Sequence, residues 1–217
     1  MTESKISSIE SSKPKGWFEL VTEGNPPLLI DGETIFKHSL KIGLELSDDQ
    51  YAKIHGEAEI AWLKRRAMQV LARRMISERD LRRKLSEEGR SKWAREEVIS
   101  LLKRYEYIDD GKCAASFVRT QLSHGPKSRL FLRQKLREKG IADEIAIQAI
   151  EIEYANIDEA GAIKEIAAKK YKTVKHLPPQ KAKSRVINFL RGRGFSWDLI
   201  KKAIVDIIPN STDSTEY

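Results

Sequence analysis

The sequence lacks the features that would cross-link, anchor or export the chain. Cys113 is the only cysteine among 217 residues, so an internal disulfide is impossible. No apolar run reaches the roughly 18 residues of a membrane span, and residues 1–17 lack the apolar core of a secretion signal. We therefore predict a cytoplasmic protein in which Cys113 is a small packing residue.

Recognisable sites for catalysis, metals and nucleotides are also missing. The histidines fall far apart in different predicted elements: His38, His55, His124 and His176. No Gly-rich phosphate loop is present, and the glycines of residues 192–194 form too short a segment to be one. Asp109 and Asp110 would diverge by about 100 degrees on a helix, so they suit a helix cap better than an acid–base pair. We predict no enzymatic activity, cofactor or metal.

The net charge of +8 is distributed in alternating blocks. Residues 1–57 carry 6 Lys/Arg and 10 Asp/Glu, whereas residues 62–95 carry 12 and 4. Residues 126–140 carry 6 and 1, residues 141–168 carry 1 and 7, and residues 169–194 carry 9 and none. This distribution favours a polyanionic partner or a protein surface with complementary charge.

One pattern occurs three times in the chain. Residues 80–99, 131–150 and 185–204 align without a gap. The aligned columns are Leu81, Leu132 and Val186; Leu85, Leu136 and Leu190; Gly89, Gly140 and Gly194; and Ile99, Ile150 and Ile204. Apolar residues four apart share a helix face, and a glycine that follows ends the helix in the left-handed conformation. Each segment therefore predicts a pair of helices.

A third helix precedes each pair, at residues 58–75, 110–122 and 158–171. The candidates for capping the last helix of each unit are Ser91, Asp143 and Ser196. Units of about 50 residues barely bury enough apolar surface to fold alone, so neighbouring units are expected to support each other. The predicted fold is mainly α: three tandem three-helix repeats that form an elongated body.

The N-terminal part has a different composition. Residues 1–15 are rich in Ser and Lys and predict a flexible lead. Two strand-like runs with a turn at Asp31-Gly32 predict a small β-hairpin, and Ser47 is expected to cap a helix. The predicted division is a lead at 1–15, a β/α extension at 16–56, repeats at 57–107, 108–155 and 156–208, and a flexible tail at 209–217.

Basic residues recur on or beside the middle helix of each repeat. Each one alone could belong to the solvated face of an amphipathic helix, but threefold recurrence favours a binding surface. The predicted basic surface consists of Arg82, Arg83, Lys84, Lys127, Arg129, Arg133, Lys135, Arg137, Lys139, Lys183, Arg185, Arg191 and Arg193. If the repeats stack in phase, this basic surface would be one continuous stripe.

Two tryptophans begin the last helices of the first and third repeats. Exposed rings at these positions would provide stacking platforms for single-stranded nucleic acid. An aromatic residue at the start of an amphipathic helix more commonly fills a core. We therefore predict that Trp93 and Trp197 pack between helices.

The repeats resemble the RecX family of RecA regulators over residues 58–208. The motifs that carry the resemblance are "YIDDGKCAASFVR" at 107–119 and "GPKSRLFLRQKLREKGI" at 125–141. The sequence departs from the pattern at Glu88, where the other repeats have Lys139 and Arg193. That departure is expected to weaken the contribution of the first repeat.

The resemblance implies a monomeric, non-enzymatic protein that binds the RecA filament on single-stranded DNA. It would oppose filament growth, lower RecA ATPase, strand exchange and coprotease activity, and damp recombination and the SOS response. A secondary affinity for single- or double-stranded DNA is also implied.

A general DNA-binding module of helical repeats remains the alternative. Each helix pair could act as a helix-turn-helix motif, in which the second helix reads DNA. These second helices are acidic in two repeats, through Glu96, Glu97, Asp143, Glu144 and Glu151. Their charge disfavours direct base reading.

Overall fold

The structure is a computed structural model that describes residues 3–155, 157–205 and 207. Its strands are β1 (Glu3–Ser12), β2 (Trp17–Thr22), β3 (Leu28–Asp31) and β4 (Glu45–Ser47). Its helices are α1 (Gly32–Lys37), α2 (Asp48–Leu71), α3 (Glu78–Ser86), α4 (Lys92–Arg104), α5 (Asp110–Ser123), α6 (Arg129–Glu138), α7 (Asp143–Tyr154), α8 (Glu159–Val174), α9 (Pro179–Arg191) and α10 (Trp197–Val205). The chain divides into two compact units between Asp109 and Asp110. The predicted tail at 209–217 lies outside the described residues.

The N-terminal strands form one antiparallel sheet in the order β3-β2-β1-β4. Leu20 on β2 pairs with Ile9 on one side and with Leu28 on the other. The buried face of the sheet forms its own apolar cluster, to which α2 also contributes. The predicted hairpin is therefore part of a larger sheet.

The prediction of a flexible lead at residues 1–15 was wrong for residues 3–12, which form β1. This strand pairs with both β2 and β4. Ile6 on β1 is 1% exposed, and Ile9 packs against the same core. An antiparallel strand with one face in water needs apolar residues only at alternate positions. The Ser- and Lys-rich composition therefore concealed a strand.

Helix α2 belongs to both the sheet and the first repeat. Ser47 caps its start through a capping box, as predicted. Ile54 is buried against the sheet, and Leu63 is buried in the core of the first repeat. The predicted boundary between residues 56 and 57 therefore falls inside a continuous helix, which ends at Leu71 rather than at residue 75.

The three-helix repeats are confirmed as α2–α3–α4, α5–α6–α7 and α8–α9–α10, each with its own apolar core. The two apolar columns of the middle helices are at most 1% exposed: Leu81, Leu132, Val186, Leu85, Leu136 and Leu190. The glycines after these helices adopt φ angles of +69, +77 and +80 degrees at Gly89, Gly140 and Gly194. They end the helices in the left-handed conformation, as predicted.

Two of the three predicted caps are present. Ser91 and Ser196 each accept a hydrogen bond from the backbone N–H three residues later, at 3.2 and 3.4 Å. Asp143 does not cap α7, because Ala142 occupies the cap position. The Asp143 carboxylate instead accepts hydrogen bonds from Arg133. An acidic residue in the first helical turn also suits the positive end of the helix dipole.

Helix α5 begins where the sequence predicts it, and Cys113 on this helix is a core residue, as predicted. The helix begins at Asp110, directly after Asp109. Cys113 is 7% exposed and packs in the core of the second repeat. Among the described residues, no helix is long and apolar enough to cross a membrane.

Candidate partner-binding surface

All residues of the predicted basic surface lie on the middle helices or beside them. Helix α3 carries three of them, α6 carries four and α9 carries three. Lys127 precedes α6, Lys139 follows it, and Arg193 follows α9. Their role in binding stays a prediction, as does the continuity of a stripe. What the structure adds is the set of contacts that each cation makes.

In the first repeat, two of the three predicted middle-helix cations, Arg82 and Arg83, are paired with carboxylates. Arg82 donates to Glu78 at 2.7 Å and also to Glu96 on α4. Lys103 on α4 approaches the other oxygen of Glu78 at 2.7 Å. The hydrogen bond from Lys103 lowers the pKa of Glu78, against the opposing effect of burial. This surface therefore presents both signs of charge.

The second repeat repeats this arrangement between α6 and α7. Arg133 binds both carboxylate oxygens of Asp143, and its hydrogen bonds lower the pKa of Asp143. Arg129 forms ion pairs with Glu151 at 3.2 Å and with Glu159 at 2.7 Å. Here too the basic side chains alternate with acidic ones.

Other cations of α6 differ in their freedom to bind a partner. Lys135 forms an exposed ion pair with Glu138 at 2.7 Å. Arg137 is exposed and forms no ion pair within the part of the chain that the structure describes. Exposed pairs contribute about 0–1 kcal/mol. A partner can therefore displace Glu138 from Lys135 at low cost. It can contact Arg137 without breaking an ion pair.

Lys127 and Arg193, neither of which forms an ion pair within the described residues, adjoin each other where the second and third repeats meet. Burial lowers the pKa of Lys127, and the positive charge of Arg193 lowers it further. Ser128 holds this junction together, because its backbone N–H donates to the Arg193 carbonyl at 3.1 Å. Its hydroxyl donates to the Gly194 carbonyl at 2.6 Å. The loop before α6 and the turn after α9 are thereby fixed to each other.

In the third repeat, the cations of the middle helix are left uncompensated. Lys183, Arg185 and Arg191 form no ion pair with a carboxylate of the described residues. No acidic residue occurs from 169 to 194, although nine basic residues do. The third repeat is therefore a basic surface, whereas the first two have surfaces of mixed charge.

Glu88 has a structural explanation that the sequence did not reveal. Its carboxylate accepts a hydrogen bond from the Trp62 indole at 3.0 Å and one from Arg66 at 2.6 Å. At the corresponding place in the second repeat, Lys139 lies over the Phe117 ring, 5.1 Å from its centroid. The changed charge at Glu88 thus matches a changed partner on the first helix of the repeat.

The prediction that Trp93 and Trp197 fill cores was wrong. They are 60% and 59% exposed. Trp93 still borders α2, because a Cβ at Gly56 would lie 3.2 Å from its ring. The cores are filled by the residues that follow these tryptophans, such as Ala94 and Ile200. Both indoles are left available to a partner.

Within the described residues, no group of three or more His, Cys, Asp or Glu side chains is placed to hold a metal ion. The most regular polar feature is instead the set of middle-helix cations.

Comparison with known proteins matches these repeats to one family. Residues 109–150 match the second three-helix domain of RecX, and residues 158–204 match the third. The chain is 28% identical to the Regulatory protein RecX of Limosilactobacillus reuteri strain DSM 20016, over 93% of this chain and 77% of that protein. It is 26% identical to that of Clostridium acetobutylicum, over 95% and 98% of the two chains.

The similarity extends to solved structures. A crystal structure of regulatory protein RecX superimposes with a TM-score of 0.67 at 27% identity, covering 93% of this chain and 98% of that one. A RecX structure from Lactobacillus salivarius shares the fold, with a TM-score of 0.59 over 69% of this chain and 96% of that one. Sequence, repeat structure and fold agree, and the chain is similar to the RecX family of regulatory proteins.

Proposed function

We propose that this protein binds the RecA filament on single-stranded DNA in the cytoplasm and opposes its growth. It would act as a monomer without catalysis of its own. Lower RecA ATPase, strand exchange and coprotease activity would follow, and recombination and the SOS response would be damped. Similarity to the RecX family carries this proposal.

The contacts of the first two repeats support a protein partner. A phosphate can contact a paired cation only by displacing its carboxylate, which reduces the net gain from that contact. In these repeats, Arg82 and Arg133 are paired with Glu96 and Asp143 on the last helix. A surface of both signs instead selects a protein with the complementary arrangement.

A general DNA-binding module is the second candidate, and the third repeat favours it. Its uncompensated Lys183, Arg185 and Arg191 can contact phosphates without losing an ion pair. Such contacts position a protein on nucleic acid without reading its sequence. We assign them a secondary role beside RecA binding.

The test is the single-stranded-DNA-dependent ATPase rate of RecA from the same organism, measured at two salt concentrations. We expect inhibition when this protein is present well below one copy per RecA, because one blocked filament end prevents many RecA subunits from joining the filament and hydrolysing ATP. An unchanged ATPase rate, together with steeply salt-dependent binding to bare DNA, would favour the DNA-binding module instead.

A further inference from the structure

Trp197 replaces one member of an ion pair in the repeat pattern. It lies three residues after Gly194, the position that Asp143 holds after Gly140. The partner of Asp143 is Arg133, and the third repeat has Ile187 at that place. A charged, self-neutralised pair on the second repeat thus corresponds to an apolar pair on the third.

The indole of Trp197 is available for contact. Trp197 is 59% exposed, whereas Ile187 is partly buried against the core of the third repeat. Among the described residues, no aromatic ring or cation stacks on Trp197. The indole therefore keeps most of its surface free for contact.

Cations without carboxylate partners belong to the same repeat. Arg191 corresponds to Arg137 of the second repeat, whose positive charge contributes to the lowered pKa of Asp143. Lys183 and Arg185 precede it on α9, and Lys201 and Lys202 lie on α10. The third repeat thus combines an exposed ring with fixed positive charge.

We propose that the third repeat binds single-stranded nucleic acid, with Trp197 stacking on an unpaired base and the cations of α9 contacting the backbone phosphates. Proteins that hold single strands combine these two elements. A duplex hides the faces of its bases, so stacking distinguishes single strands from double strands. This inference deepens the DNA affinity in the proposed function and rests on that part of it.

Charge composition favours nucleic acid over a protein at this surface. Lysine is depleted in protein–protein interfaces relative to the rest of the surface. The block at 169–194 carries six lysines, at positions 169, 170, 172, 175, 181 and 183, and no acidic residue. Phosphate backbones compensate such a block, whereas a protein would need an equally one-sided acidic surface.

The experiment measures the affinity of the full chain, without RecA, for a fluorescein-labelled oligothymidylate and for a duplex of equal length. Trp197→Ala is expected to weaken single-strand binding about tenfold, which is the usual effect of losing one stacked base. Duplex binding should change less than about twofold, because phosphate contacts supply it. Trp197→Phe should retain most of the affinity, since a phenyl ring still stacks.

Trp93→Ala is the matched control, because Trp93 is equally exposed but lies in the first repeat, where Arg82 and Arg83 of the middle helix are paired with carboxylates. It should leave both affinities unchanged. Unchanged single-strand binding by Trp197→Ala would overturn the inference. So would an equal loss of affinity for single strands and duplexes, or an equal loss in the Trp197→Ala and Trp93→Ala variants. Weaker RecA inhibition by Trp197→Ala at unaltered single-strand affinity would assign the ring to a protein contact. That outcome overturns this inference but leaves the proposed function standing.

Discussion

Replacing Arg133, Lys135 and Arg137 together with Gln should abolish inhibition of the RecA ATPase at protein concentrations where the wild type inhibits fully. The three side chains lie on the exposed part of α6. If each contributes roughly 1 kcal/mol to an interface, affinity falls about 100-fold. Gln rather than Glu is the suitable replacement, because Glu would repel the Asp143 and Glu138 carboxylates that Arg133 and Lys135 now contact.

The control for this variant removes the same charge elsewhere. Lys5, Lys41 and Lys53 are exposed and lie in the N-terminal part, and none of them is on a middle helix. Their combined replacement with Gln lowers the net charge equally and should leave inhibition intact. Equal losses in the two triple variants would show that only net charge matters. Retained inhibition by the α6 variant, with its circular dichroism unchanged, would exclude α6 from the interface.

Gly194→Ala should destabilise the second compact unit by about 3 kcal/mol. A left-handed residue with a side chain costs roughly 1–2 kcal/mol, and overpacking adds about 1–3 kcal/mol. The added Cβ would lie 2.5 Å from the Phe131 Cβ and 2.7 Å from the Ser128 Oγ. Relief requires the start of α6 to move, which would break the hydrogen bond from the Ser128 hydroxyl to the Gly194 carbonyl.

Gly89→Ala is the matched variant of the first repeat. Gly89 has a φ of +69 degrees, but nothing lies within 4 Å of its added Cβ. It should cost only about 1 kcal/mol, from backbone strain alone. Amide hydrogen exchange in α9 and in α3 gives the free energy of unfolding for each unit separately. Equal costs at the two glycines would contradict the packing of the second repeat against the third.

Helical periodicity made the repeats predictable. Leucines four residues apart, followed by glycine, satisfy a local rule that needs no knowledge of neighbouring elements. The strand β1 was missed because its composition is polar, although its partner β2 follows it closely in sequence; only its other partner, β4, is distant. Half of its side chains face water, and their polarity resembles that of a flexible segment.

The positions of the cations on the middle helices were predictable, but their contacts were not. The charge blocks located the cations of α3, α6 and α9. Whether a cation is free depends on the residues of the neighbouring helix: Arg133 meets Asp143, while the corresponding positions of the third repeat are Ile187 and Trp197, which carry no charge. Exposure of Trp93 and Trp197 could not be predicted, since an aromatic residue at a helix start is compatible with either surroundings.

The central claim is that this protein stops RecA filaments from growing, and direct observation of growth tests it best. Fluorescent RecA from the same organism is assembled on single-stranded DNA, and the rate of extension is followed after adding this protein well below one copy per RecA. We predict that extension slows or stops while preformed filament remains visible. Extension at the uninhibited rate, with the protein bound to filaments or to bare DNA, would contradict the account.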